Sequence, residues 1–230
     1  MKAMILAAGK GERMRPLTLS TPKPLLVAGG KPLIVHHIEH LQAAGFRDLV
    51  INHAWLGEQI EQALGDGRDY GVRIRYSAEG EPLETAGGII RALPLLTDEG
   101  DTWFLVINGD IWTDFPLSRL IPPDDDCTDA VLVMTDNPDH YPNGDFHLGS
   151  DGVLASDGPN RLTFSGISLL HRRLFAGLDD SAGKLGPVLR RAMANDRVRG
   201  VHHTGQWLDV GTPQRLDELD KRLSHGGVPS

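Results

Sequence analysis

Only one of the 230 residues is a cysteine, Cys127, so no disulfide can form within the chain. A reducing, cytoplasmic setting is the expectation. Cys127 follows Asp124-Asp125-Asp126, an acidic setting that offers no cation to activate a thiol, so no cysteine nucleophile is expected. Long apolar runs are missing too. The first apolar run, after Met1-Lys2, gives way almost at once to Gly9 and charges, too short for the core of a secretory signal. No stretch approaches the roughly 20 apolar residues of a membrane span, and no membrane partner is expected. Positive charge is scarce: 23 Lys and Arg face 31 Asp and Glu, a net −8. A general nucleic-acid binder needs a basic face to displace counterions, so that class is set aside. A small anionic ligand is not excluded, because a local cluster of cations and backbone N–H groups can sit in an acidic protein. Aromatic residues are few, and Trp55, Trp103, Trp112 and Trp207 read as core or pocket wall, not as a base-stacking platform.

What is present is an ordinary globular composition with 40% hydrophobic residues. Residues 1–223 are expected to form one α/β domain, read as a monomer, with 224–230 as a flexible tail. Strand-like runs cover 2–8, 48–52, 71–77, 103–110, 130–135, 162–171 and 198–203. Helical spacing covers 33–46, 56–64, 186–195 and 212–223; the last is expected to be capped by Thr212 with Pro213 at its first position. A helix starting at 86 is expected to be cut by Pro94. The β-α-β-α order predicts a Rossmann-like, mixed but mostly parallel sheet flanked by helices. In such a sheet, ligands bind beyond the carboxyl ends of the strands.

Two loops leave strands at that edge. The first, in "MILAAGKGERMRPLT", carries Gly9-Lys10-Gly11-Glu12-Arg13. It lacks the third glycine of a dinucleotide fingerprint, and it is not a P-loop. It offers a glycine pair whose backbone can approach a phosphate, and an arginine whose two N–H groups can hold its charge. "TPKPLL" follows, with Lys23 held stiffly between Pro22 and Pro24, a sensible phosphate ligand. The second loop brings Asp110 to the end of an apolar strand, with Asn108 two residues before it. A second aspartate, Asp209, sits in "GQWLDVGTP". If the two carboxylates meet, they suit one hard cation such as Mg²⁺, which takes few carboxylates alongside phosphate oxygens. His36 and His40 have the i, i+4 spacing of zinc ligands, but with no third ligand evident they and His37 read as structural histidines.

These residues carry a family resemblance. "LAAGKGERMRPLT", "TPKPLL", "ETAGGI", "INGD" and "WLDVGTP" occur in the order found in the sugar-1-phosphate nucleotidyltransferases, and the likeness spans residue 2 to about 223. The resemblance implies an enzyme that joins a nucleoside triphosphate to a sugar 1-phosphate and releases pyrophosphate, with Mg²⁺ as cofactor. It implies that Ala8, Gly9, Gly11 and Glu12 belong to the nucleotide loop and that Arg13 grips the outer phosphates. Lys23 would sit by the α-phosphate and the attacking phosphate, and Asp110 and Asp209 would hold the metal. It places the base over "AEGEPLETAGG", with Glu79 and the backbone near Thr85 as its contacts, and uracil as the base. The common form there is Leu-Gly-Thr-Ala-Gly; this chain has Glu84 in place of the first glycine, which removes a position of free backbone approach.

The sugar would lie near Asn108, a turn at Gly144, and Phe164-Ser165, where the family usually shows asparagine. The family also shows a glutamate on this side, and none occurs in 143–166. A missing carboxylate suits a sugar that bears its own acid, since a facing glutamate would repel it. The implied reaction is uridylyl transfer from UTP to N-acetylmuramate α-1-phosphate, a step of peptidoglycan recycling. The alternatives are transfer to mannose or glucose 1-phosphate or to phosphocholine, and a non-catalytic nucleotide-sugar sensor.

Overall fold

The computed structural model describes residues 1–224. The chain alternates strands and helices, and seven strands build the main sheet: β1 Lys2–Leu6, β2 Asp48–His53, β3 Arg73–Ala78, β4 Trp103–Asn108, β5 Ala130–Thr135, β6 Arg161–His171 and β7 Val198–His203. Their order across the sheet is β7-β5-β6-β4-β1-β2-β3. All are parallel except β6, which runs antiparallel to both β4 and β5. The expected mixed, mostly parallel sheet is therefore what the chain forms. A short hairpin, Phe146–Leu148 with Leu154–Ala155, extends the start of β6.

β1, β2, β4 and β5 are buried along nearly their whole length, as parallel strands covered on both faces must be, while the edge strands β3 and β7 are partly exposed. Successive side chains alternate between the two cores. Ala3, Ile5, Leu49, Ile51, Leu105 and Ile107 face α1 (Leu33–Ala43) and α2 (Gly57–Leu64). Met4, Val50, Phe104, Val106 and Leu132 face α3 (Thr85–Leu96) and α4 (Leu185–Met193). A one-residue slip of any strand would exchange its two sets of side chains, so both cores hold the register.

A third, smaller cluster of Met14, Leu26, Leu33, Val210 and Leu219 lies beneath the first loop. It anchors α5 (Pro213–Ser224), which Thr212 caps through its hydroxyl to the Arg215 N–H at 3.4 Å. The proposed tail lies outside the described residues except for Ser224, the last residue of α5.

One expectation fails. Pro94 does not cut its helix, which runs on to Leu96. The proline falls near the end of α3, where only one ladder bond is lost. Ala92 and Leu96 are fully buried on the sheet and hold the final turn in place. The bulk of the remaining element assignments hold to within a residue or two.

Candidate active site

The carboxyl ends of β1, β2, β3, β4 and β5 open on one edge, and the first residues of β6 return to the same edge. Three adjoining hollows lie there. The first, about 260 Å³, is lined by Leu6–Gly9, Lys23, Asn52, Leu83–Thr85 and Asn108–Asp110. The second, about 470 Å³, is lined by Gly9–Met14, Lys23, Asp110 and Gly211. The third, about 360 Å³, is lined by Arg13, Asn108, Asp110, His140, Tyr141, Thr163–Ser165, Trp207 and Asp209. Asp110 lines all three, so it stands where they meet.

Local physics explains each side chain's place. Gly11 adopts φ +62°, a left-handed conformation open to glycine, and opens a short 3₁₀ turn, Glu12–Met14. The Thr18 hydroxyl donates to the Gly11 carbonyl at 2.8 Å and holds the loop down. Met14 is fully buried in the small third cluster, which leaves Arg13 pointing out of it. Arg13 is exposed, has no ion-pair partner among the described residues, and lines two of the hollows.

Lys23 follows Pro22, whose backbone is extended, and starts a 3₁₀ turn through Pro24 and Leu25. Its side chain is buried and its Nζ donates to Asp110 Oδ2 at 2.8 Å. A buried ammonium needs such a partner, because desolvation of an unpaired charge costs several kcal/mol.

The two aspartates are neighbours, although 99 positions separate Asp110 from Asp209 in the chain. Ile111–Thr113 and Trp207–Asp209 pair as an antiparallel ribbon, with Asp209 opposite Ile111. The Val210 N–H donates to the Asp110 carbonyl at 2.8 Å. Asp209 Oδ2 accepts from Arg215 Nη1 at 2.7 Å, and His140 Nε2 lies 3.9 Å away. Trp207 Nε1 donates to the Ser165 carbonyl at 2.9 Å, tying this ribbon to a bulge in β6 between Phe164 and Ser168.

Of the residues singled out from the sequence, Ala8, Gly9, Gly11, Glu12, Arg13, Lys23, Thr85, Asn108, Asp110, Phe164, Ser165 and Asp209 all line one or more hollows. Two do not. Glu79 is 5% exposed, and both its carboxylate oxygens are taken, by Asn52 Nδ2 at 2.6 Å and by the Leu83 N–H at 2.7 Å. It stands behind the lining, without direct access to the hollow. Gly144 has φ +59° and packs under β6, where a Cβ would lie 2.6 Å from the Arg161 carbonyl oxygen. It is a packing glycine and does not line the third hollow.

Glu84 has φ −68°, an extended conformation open to any residue, so the glycine it replaces is not needed for the backbone path. Its carbonyl accepts the Gly88 N–H as α3 begins. The histidines behave as structural groups: burial lowers the pKa of His36, His37 and His40, that of His37 to about 4. No cluster of three ligand-type side chains suited to a metal occurs among the described residues. No helix among them is long and apolar enough to cross a membrane.

Known proteins are similar to this chain. Residues 2–146 match the model of the nucleotidyl transferase family. The N-acetylmuramate α-1-phosphate uridylyltransferase of Neisseria meningitidis serogroup B is 53% identical over 225 residues, which cover 95% of this chain and 96% of that one. The chain is a nucleotidyltransferase. A mannose-1-phosphate guanyltransferase of Schizosaccharomyces pombe is 32% identical over 93% of the chain, which spans 62% of that longer relative. In fold, this nucleotidyltransferase is similar to a Bacillus anthracis chain named as a glucose-1-phosphate thymidylyltransferase and solved with sucrose. Their TM-score is 0.82 at 21% identity, over 100% of this chain and 98% of the other.

Sequence reasoning missed Asn52, Thr163, His140, Tyr141 and Gly211, all of which line the hollows, whereas Trp207 is the pocket wall that was expected. A signal existed for Asn52. It stands near the carboxyl end of a strand, on the edge where α/β sheets bind ligands. Tyr141 and His140 lie in a turn-rich segment without periodicity, where no such signal exists.

Proposed function

We propose that this nucleotidyltransferase joins UTP and N-acetylmuramate α-1-phosphate to give UDP-N-acetylmuramate and pyrophosphate. The observation that carries the chemistry is the meeting of three hollows at Asp110, with Lys23 against it and Arg13 facing two of them. Such a junction suits a reaction in which two anions are brought together and a third leaves. The choice of uracil and of this sugar rests on the 53% identity, over nearly the full length of both chains, to the Neisseria enzyme.

In this reading the first hollow takes the nucleoside, the second the outer phosphates, and the third the sugar. Backbone N–H groups of the Ala8–Gly11 loop and the Arg13 guanidinium hold the triphosphate. Lys23 orients the sugar phosphate toward the α-phosphorus and carries part of the negative charge that grows there. The sugar phosphate oxygen attacks in line, its new bond to phosphorus forming as the bond to the pyrophosphate oxygen breaks. No protein nucleophile is required.

A divalent ion fits the aspartate pair. The donors are oxygens, they number two, and both line the third hollow, Asp209 at the end of the ribbon and Asp110 just before its other strand. We assign Asp110 and Asp209 to hold Mg²⁺, which supplies charge neutralisation and a template for the phosphates. Lys23 and Arg215 compensate the two carboxylates, and each of these bonds is to Oδ2.

The third hollow supports an acid-bearing sugar. Asp145, nearest to Tyr141 and Phe164, is closed off: its oxygens accept from the Tyr141 hydroxyl at 3.0 Å and the Phe164 N–H at 2.8 Å. The carboxylates lining this hollow are Asp110 and Asp209 alone. A panel of nucleoside triphosphates against sugar 1-phosphates, read by pyrophosphate release, tests the reading. UTP with N-acetylmuramate 1-phosphate should be fastest, and EDTA should abolish release. No release with any pair would sink it.

A further inference from the structure

A chain of hydrogen bonds runs behind the first hollow and joins two stretches of its lining. The Ala7 N–H donates to Asn52 Oδ1 at 2.9 Å, Asn52 Nδ2 donates to Glu79 Oε1 at 2.6 Å, and the Leu83 N–H donates to Glu79 Oε2 at 2.7 Å. Ala7 begins the phosphate loop, and Leu83 opens the segment on which the base is assigned to rest. Asn52 and Glu79 are 3% and 5% exposed, so both pay to be buried and both are fully engaged.

The direction of every bond is set. Backbone N–H groups stand at both ends and can only donate, so the oxygen of the Asn52 amide must face Ala7 and its nitrogen must face Glu79. Gly88 adds a second observation. A Cβ there would lie 2.6 Å from Glu79 Oε1 and 2.8 Å from Asn52 Nδ2. The second glycine of the Thr85-Ala86-Gly87-Gly88 turn therefore makes room for this pair of side chains at the start of α3.

We propose that Asn52 and Glu79 are positioning residues that fix the phosphate loop relative to the base-bearing segment, and so set the affinity for UTP. Neither is a catalytic residue, and Glu79 does not contact the base. This inference rests on the assignment of the first hollow to the nucleotide.

A swap of the two polar groups tests it. Glu79→Gln leaves one oxygen and one amino group where two donors point, so one donor loses its acceptor. Asn52→Asp sets two carboxylates against each other. The double variant restores the pattern: the aspartate introduced at 52 accepts from Ala7 and from the new amide, whose oxygen accepts from Leu83. UTP affinity is measured by titration calorimetry on the full chain with Mg²⁺ and without sugar phosphate.

Each single substitution should weaken UTP binding about tenfold, and the double variant should return to within about threefold of the parent. Singles that lower Tm but leave affinity within about twofold would show a merely structural role and overturn the inference. So would a double variant as weak as the two singles combined. Should Asn52→Asp fail to fold, Glu79→Gln and Gly88→Ala each carry the test alone, with the same tenfold expectation. If the parent binds a different nucleoside triphosphate, the choice of uracil fails and the cycle is read with that nucleotide. If it binds none, both fail.

Discussion

Replacing Lys23 by alanine should separate catalysis from folding. In the folded chain the Lys23 side chain is 10% exposed and pairs with Asp110 at 2.8 Å, while the Asp110 side chain is 37% exposed. Removing one partner of a fully buried pair costs about 3–5 kcal/mol, because a charge is left dry and unpaired. A surface pair is worth about 0–1 kcal/mol. Water can reach the stranded Asp110 carboxylate, so the expected loss is about 1–2 kcal/mol. For a chain of this size that lowers Tm by about 2–8 °C. The catalytic loss should be far larger. A preorganised charge aimed at the growing transition-state charge is worth about 10²–10³ in kcat. Pyrophosphate release measured alongside a thermal melt reads both numbers. A variant that melts within this range and turns over 10²-fold or more slowly supports the assignment. Turnover within about threefold of the parent would refute it.

Other perturbations follow from the same structure. Asp209→Asn should raise the Mg²⁺ concentration for half-maximal rate at least tenfold; an unchanged metal requirement would remove Asp209 from the metal pair. Burial holds the His37 pKa at about 4 against 6.5, so its neutral ring is the folded form. The unfolded chain takes up this proton first, so stability is complete above about pH 6.5 and falls as the pH drops toward 4, by up to about 3 kcal/mol. His36 and His40 shift in the same direction and add to the slope. His37→Gln should flatten a plot of Tm against pH over that window, and an unaltered slope would contradict the cause given. Pro94→Ala should restore a ladder bond near the end of α3 and raise Tm by about 2–4 °C; a lower Tm would show that the proline suits its turn.

The parts of the site legible in the sequence are those whose chemistry is local. Arg13 follows a glycine pair, Lys23 is clamped by two prolines, and Asp110 ends an apolar strand. Each can be read from a few neighbouring residues. Asp209 was legible as a carboxylate in a short apolar stretch, but its meeting with Asp110 depends on a ribbon joining distant parts of the chain. Asn52 gains its place from the parallel register of β1 and β2, which sets Leu6 opposite it and brings its amide to Ala7. Local pattern cannot reveal such a contact. That Glu79 and Gly144 stand off the lining was not legible for the same reason. Their roles depend on what packs against them, and both turn inward, Glu79 to Asn52 and Leu83, Gly144 to the underside of β6. The inner strands were legible because burial on both faces leaves continuous apolar runs, and the edge strand Arg73–Ala78 because it alternates. The helix through Pro94 was not, because tertiary burial of Ala92 and Leu96 outweighed the local penalty.

In the reading proposed above, this site transfers uridylyl groups to a sugar phosphate bearing its own acid. The most direct measurement compares kcat/KM for N-acetylmuramate 1-phosphate and N-acetylglucosamine 1-phosphate, which differ by the lactyl group, with UTP as donor and the same purified chain. At least a tenfold preference for the muramate compound is expected. Equal or faster turnover of the N-acetylglucosamine compound would contradict it.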